Sequence, residues 1–112
     1  PNLIQKFENL GTKTGKAVSG LLDFFGRYDS KKYGSTGAPL HDANVIVYLL
    51  RPDFYQGKFI NVEVETVSNL TRGMTVADWW QVTDRRQNAF YVKDALPEKV
   101  LGLIIEKIAL LP

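Results

Sequence analysis

The 112-residue sequence contains no cysteine and a single histidine, and these shortages narrow the chemistry that it can perform. Without thiols the chain can form no disulfide, no cysteine-based zinc cluster and no cysteine nucleophile. A metal ion held by this chain would therefore have oxygen ligands. The lack of cysteine is compatible with a reducing compartment, and we expect a cytoplasmic protein.

The sequence also lacks a strong excess of one charge and lacks long apolar runs. Its 14 Lys and Arg and 12 Asp and Glu are dispersed and give a formal net charge of +2. No basic stripe indicates nucleic-acid binding. The apolar stretches fall short of the ~20 residues of a membrane-spanning helix. We expect neither a nucleic-acid partner nor a membrane segment.

Apolar residues that recur every three or four positions predict four helices. These cover residues 2–10, about 17–28, 42–50 and about 95–111. Asp42 and Asp94 are predicted to be the N-caps of the last two helices, since a carboxylate can accept hydrogen bonds from free backbone N–H groups there. The third helix is apolar on nearly every face, so we expect it to be buried. Glycine, serine and lysine in residues 29–39 predict a polar connection.

Period-two alternation from Ile60 to Thr66 predicts a half-buried strand. Two polar turns then lead to strands over 74–77 and 89–92, and the simplest arrangement is a three-stranded meander. Glu63 and Glu65 lie on one face of the first strand, where we expect solvent rather than an acid/base pair.

The tryptophan pair Trp79-Trp80, near Phe90 and Tyr91, allows two interpretations. Exposed aromatic faces could stack on nucleobases. Large aromatic side chains also dominate buried cores and subunit interfaces, and this second interpretation is favoured.

His41 and Asp42 place a proton carrier beside a carboxylate at the start of the 42–50 helix. From spacing alone, a capping aspartate next to a partly exposed histidine explains the pair as well as a catalytic role does. The surrounding motifs carry more information. They comprise Gly37-Ala38-Pro39-Leu40-His41-Asp42, Val62-Glu63-Val64-Glu65-Thr66, Leu70-Thr71-Arg72-Gly73-Met74-Thr75-Val76-Ala77-Asp78-Trp79-Trp80 and Asn88-Ala89.

In this order the motifs resemble the carboxy-terminal third of the inosine-uridine preferring nucleoside hydrolases. The resemblance implies the C-terminal segment of an α/β open mixed sheet, with helices, a three-stranded meander and a terminal helix. Residues 1–112 would form a single segment of that domain. The family's amino-terminal aspartate cluster, of the form DTDxxxDD, does not occur in the sequence.

The resemblance further implies hydrolysis of the N-glycosidic bond of ribonucleosides around a calcium ion. Asp42 would be a calcium ligand, His41 would meet the departing base, and Tyr33 would contact that base. Histidine at this place favours the inosine-uridine or pyrimidine-preferring groups. We expect the chain to be inactive without the missing N-terminal portion. Together with that portion, we expect it to form a homo-oligomer, either a dimer or a tetramer. A non-catalytic nucleotide- or protein-binding module, or a degenerate family member, is the alternative.

Overall fold

The computed structural model describes residues 2–34 and 40–112, apart from the side chain of Tyr33. Two compact units are formed, one by the chain up to Phe54 with Leu96–Pro112 and the other by Tyr55–Ala95. The elements are α1 (Leu3–Glu8), α2 (Lys13–Tyr33), α3 (Asp42–Leu50), the single 3₁₀ turn η1 (Pro52–Phe54), β1 (Tyr55–Ile60), β2 (Val62–Val64), β3 (Thr75–Ala77), β4 (Ala89–Ala95) and α4 (Pro97–Ala109). Within these described ranges no helix is both long enough and apolar enough to cross a membrane.

The first two helices confirm the predicted pair and its break at Gly11, whose φ of 70° is left-handed. The Thr12 hydroxyl caps α2 by accepting from the Gly15 N–H at 3.0 Å. The predicted polar connection from residue 29 was wrong, because α2 continues to Tyr33. Lysines in the last turn suit the negative end of the helix dipole, and Gly34 ends the helix in the left-handed region.

The predicted bounds of α3 are confirmed, but its burial is not. Val47 is buried, whereas Val45, Ile46 and Leu49 are 62%, 59% and 72% exposed. The reason is that α3 packs mainly on α4 and η1 among the described elements, so a large part of this apolar helix stays uncovered. An apolar groove of about 220 Å³ runs between α3 and α4.

The last helix begins later than its sequence suggests. Asp94 is not its N-cap, because this residue lies in β4 and its carboxylate accepts from the adjacent Ala95 N–H at 2.8 Å. Leu96 is the N-cap residue, and Pro97 stands in the first turn as expected. The Leu96 N–H donates to the Phe54 carbonyl oxygen at 2.8 Å, which fixes the start of α4 to η1.

The strands form two antiparallel pairs, β1 with β4 and β2 with β3, instead of the predicted meander. The strand expected from Ile60 to Thr66 is interrupted at Asn61, where the chain exchanges one partner strand for the other. The buried Asn61 amide donates to the Arg86 carbonyl oxygen at 3.0 Å. The Asn88 side chain bonds both the N–H and the C=O of Val62, so it occupies the place of a ladder partner. The mixed α/β class itself is confirmed.

A β-bulge between Gln56 and Gly57 brings β1 unusually close to β4. A Cβ added at Gly57 would lie 2.1 Å from the Tyr91 carbonyl oxygen, which is a backbone atom and cannot move aside cheaply. We expect Gly57→Ala to lower the free energy of unfolding by about 1–3 kcal/mol, the usual cost of overpacking. Urea denaturation would measure it.

The matched control is Gly20→Ala within α2, where an added Cβ meets nothing within 4 Å. This variant should raise stability by roughly 0.5–1 kcal/mol, because alanine favours a helix over glycine. Equal shifts of the two variants in the same direction would contradict the assigned close approach.

Candidate functional site

His41 and Asp42 lie at the start of α3, which fixes their backbones. His41 is the N-cap residue with φ −94° and ψ −66°, and Asp42 is the first helical residue. The His41 carbonyl oxygen accepts from the Asn44 N–H at 3.1 Å, and the Asn44 side chain donates to the Leu40 carbonyl oxygen. The first turn of α3 is thus hydrogen-bonded to the residues just before it. The side chains of His41 and Asp42 therefore start from a fixed backbone.

The prediction that Asp42 is the N-cap was wrong by one residue. His41 takes this position and makes no side-chain capping bond. Asp42 still lies in the first turn, where its negative charge is stabilised by the positive end of the helix dipole. Its carboxylate oxygens are therefore not used on the backbone of α3.

Both side chains are exposed. Within residues 2–34 and 40–112, no hydrogen bond or ion pair engages the His41 imidazole or the Asp42 carboxylate. An imidazole and a carboxylate, neither of them hydrogen-bonded in the described structure, are thus adjacent in the chain.

Two other carboxylates of the chain are engaged in local bonds. Asp53 forms a two-pronged bond with the Arg51 guanidinium at 2.8 and 2.7 Å, and this bond lowers the pKa of Asp53. Asp78 accepts from the Thr83 hydroxyl at 2.6 Å and from two backbone N–H groups; these bonds, led by the hydroxyl, lower its pKa. These two side chains stabilise local turns, which distinguishes them from Asp42.

The two strand glutamates do not form an acid/base pair, as expected. Glu63 lies 3.3 Å from the Arg85 guanidinium on the surface. Glu65 accepts from the backbone N–H groups of Val67 and Ser68, which lowers the pKa of its carboxyl group. Each glutamate therefore stabilises a different local structure.

The donor set of the chain fits one contribution to a calcium site. A carboxylate is the hard oxygen ligand that calcium prefers, and Asp42 can give one or two oxygens out of the six to eight required. The described part of the chain holds no cluster of three or more His, Asp or Glu side chains that could bind a metal ion.

The predicted contact of the departing base is Tyr33. Its backbone ends α2, but its side chain lies outside the described structure. Gly37, Ala38 and Pro39 of the His-Asp motif also fall outside the described residues. The assignment of Tyr33 to the base therefore stays a prediction.

The tryptophan pair is not buried in a core of the described chain, and the subunit-interface half of the favoured interpretation stays a prediction. Trp79 is half-buried and meets Tyr91 edge-to-face, with ring centroids 5.9 Å apart. Trp80 is 81% exposed within this chain. The Lys58 ammonium lies 4.1 Å from the Trp79 centroid and the Lys93 ammonium 5.3 Å from it. Sequence reasoning missed both lysines, because only the pairing of β1 with β4 brings them to the same ring.

Comparison with known proteins shows which family this chain resembles. The family model described as inosine-uridine preferring nucleoside hydrolase matches residues 1–101. An uncharacterized protein of Schizosaccharomyces pombe is 40% identical over 97% of this chain. The pyrimidine-specific ribonucleoside hydrolase RihA of Klebsiella pneumoniae is 36% identical, also over 97% of this chain. In both cases the chain spans 35% of the relative's length.

A solved structure shows the same fold. The purine-preferring ribonucleoside hydrolase from Gardnerella vaginalis matches 96% of this chain with a TM-score of 0.77 and 22% sequence identity. The match uses 34% of that protein's chain. The helices and small antiparallel sheets described above are therefore arranged as in one segment of a nucleoside hydrolase.

Proposed function

Because the chain belongs to the inosine-uridine preferring nucleoside hydrolase family, we propose that it supplies His41 and Asp42 to the active site of a ribonucleoside hydrolase. The observation that carries this proposal is the pair itself. The two side chains are adjacent at the rigid start of α3, exposed, and without a polar partner in the described structure. Structural carboxylates of the same chain, such as Asp53, are bonded instead.

In the proposed reaction, water replaces the base at the anomeric carbon of ribose. As the C–N bond breaks, its electron pair passes to the base, and the ribose becomes oxocarbenium-like. A protonated His41 donates its proton to the departing base nitrogen, so the base leaves neutral. The water oxygen bonds to the anomeric carbon and loses a proton to a base supplied by the rest of the domain.

Asp42 is proposed as a ligand of calcium, with the carboxylate also oriented toward the ribose. When bound, calcium orients the ribose hydroxyls and lowers the pKa of the attacking water. The contribution of this chain is to hold the Asp42 oxygens at the positive end of α3. There the helix start fixes the backbone of Asp42 beside that of His41, which supports a role of the pair toward both ends of one nucleoside.

The substrate class that we propose is ribonucleosides of the inosine, uridine and cytidine type, with pyrimidine nucleosides first. Support comes from RihA, which is named as pyrimidine-specific and is 36% identical to this chain. The structural neighbour named as purine-preferring is only 22% identical and supports the fold alone. Cytoplasmic location and a dimeric or tetrameric assembly stay predictions.

The partner that we propose for the exposed apolar faces is the remaining portion of a hydrolase domain. Ile46 and Leu50 on α3 and Ile104 on α4 line a groove that is apolar apart from Lys107. Exposed apolar surface of this kind commonly marks an interface. The relatives are about three times as long as this chain, so they contain enough polypeptide to cover it.

The experiment joins this chain to the upstream two-thirds of K. pneumoniae RihA, in place of the segment that it matches. We expect the joined protein to release uracil from uridine with calcium present, while the isolated chain releases none. The control is native RihA that is divided at the same position and rejoined by the same procedure. An isolated chain with a rate comparable to RihA would contradict the proposal. So would a joined protein that unfolds cooperatively on heating yet is inactive, which would favour a degenerate family member.

A further inference from the structure

We propose that Lys58, Lys93, Trp79 and Trp80 form a second binding site, whose ligand is a phosphorylated nucleoside. Two lysines would hold the phosphate, and the exposed indole of Trp80 would stack on the base. The proposal depends only on the unit Tyr55–Ala95, and it does not rest on the reaction assigned to His41 and Asp42.

The pairing of β1 with β4 brings the four side chains together. Lys58 lies opposite Tyr91 in the antiparallel register, so both project from the same face. Lys93 is the extra residue of β4 at the bulge, and its ammonium reaches the same Trp79 ring. Trp79, two residues after the end of β3, packs edge-to-face on Tyr91.

The charges of this cluster are not balanced. The Lys58 ammonium lies 4.1 Å from the Trp79 centroid and 5.9 Å from the Trp80 centroid, and the Lys93 ammonium lies 5.3 Å from the Trp79 centroid. In the described part of the chain, no carboxylate forms an ion pair with either lysine. Two cations near one ring repel each other, and an anion between them would relieve that repulsion.

A neighbouring cavity offers space for the anion. It measures about 270 Å³ and is lined by Gln56, Gly57, Lys58, Trp79, Lys93 and Asp94. Asp94 opposes an anion, but the two lysines of the lining outnumber it, so the lining keeps a positive charge. The cavity is smaller than most sites for whole drug-sized ligands, so it fits a phosphate and part of a ribose.

Trp80 decides the class of ligand. It is 81% exposed, next to a ring already covered by lysines. An exposed indole stacks on any nucleobase, and lysine ammonium groups bind phosphate as point charges. A ligand with an aromatic base and a phosphate uses both features. A free nucleotide and the end of an RNA strand share this chemistry, and the experiment separates them.

The site contains its own reporter, because Trp79 and Trp80 are the only tryptophans of the 112 residues. We would titrate the full chain with uridine 5′-monophosphate, uridine, inorganic phosphate and a short oligouridylate, and follow tryptophan fluorescence. The monophosphate should change the fluorescence saturably, and both uridine and phosphate should bind more weakly. Tighter binding of the oligouridylate would assign the occupant to a strand, and equal or weaker binding to a free nucleotide.

The variants separate this site from a purely structural contact. Lys58→Gln combined with Lys93→Gln should weaken binding of the monophosphate about 10- to 100-fold, the usual effect of losing charged hydrogen bonds. Lys13→Gln combined with Lys16→Gln removes the same charge from exposed lysines of α2 and should leave affinity unchanged. The readout is binding of the monophosphate and not hydrolysis, so failure here is distinguishable from failure of the hydrolase proposal.

Trp80→Leu keeps Trp79 as the reporter and should abolish the advantage of the monophosphate over inorganic phosphate. Because Trp80 is exposed, this variant should fold, which circular dichroism would check. The proposal is overturned if uridine binds as tightly as its monophosphate, if no saturable change occurs, or if the Lys58/Lys93 double variant keeps wild-type affinity.

Discussion

Replacing His41 with glutamine lowers kcat for uridine by about 10²- to 10⁴-fold in the chain joined to the upstream part of RihA, the range expected for losing a general acid. The side chain stands exposed at the start of α3 and makes no capping bond, so its loss removes no structural contact of the described chain. Glutamine can donate a hydrogen bond but cannot deliver a proton. The loss should therefore fall on kcat, with KM changing much less.

Steady-state release of uracil measures this prediction, and thermal unfolding checks that the variant folds. Lys6→Gln is the control, since it removes another exposed basic side chain at the end of α1. A His41→Gln protein that keeps the parent kcat while Trp79→Ala abolishes ligand binding would instead support a non-catalytic binding module.

Exchanging Asp42 for asparagine should weaken calcium binding by more than about 10- to 100-fold, which is the loss typical even for outer-shell partners of a metal. The amide keeps the shape of the side chain but removes the negative charge that attracts the cation. Hydrolysis at a fixed low calcium concentration should fall in parallel, and higher calcium should restore part of it. Calcium titration by calorimetry, with uridine hydrolysis measured over the same range, gives both quantities.

The matched control is Glu98→Gln. Glu98 and Asp42 are both acidic residues in the first turn of an apolar helix, α4 and α3 respectively. Each substitution should cost a similar helix-dipole stabilisation of about 0.3–1 kcal/mol. Only Asp42→Asn should change the calcium dependence. Equal effects of both substitutions on calcium binding would leave Asp42 only its favourable interaction with the helix dipole.

The helices could be predicted from the sequence where a local signal marks their ends. Arg51 and Pro52 end α3 at Leu50, and Gly11 separates α1 from α2, as the pattern indicated. The end of α2 was missed because the polar residues before Gly34 are compatible with both a loop and an exposed last helical turn. The turn is helical because the lysines suit its carbonyl end and Gly34 accepts the left-handed conformation.

Strand pairing could not be predicted, since it depends on contacts between distant residues. Period-two alternation places Ile60 and Val62 on one continuous strand, but nothing local shows that Asn61 bonds across to Arg86. The same limit applies to burial. The apolar composition of α3 indicates a buried helix, whereas exposure depends on which polypeptide covers it.

Of the two candidate sites, one could be predicted from the sequence and the other could not. The His41-Asp42 pair could be found because its members are adjacent in sequence and lie beside a helix start. The cluster of Lys58 and Lys93 around Trp79 could not, since it requires the register of β1 against β4.

The proton-donor role of His41 is tested most directly by varying the leaving group. In the joined protein, kcat is measured for uridine and for 4-nitrophenyl riboside, with and without His41→Gln. Nitrophenolate departs without a proton, so the substitution should reduce kcat strongly for uridine and leave it nearly unchanged for the nitrophenyl substrate. An equal reduction for both substrates would contradict proton donation by His41.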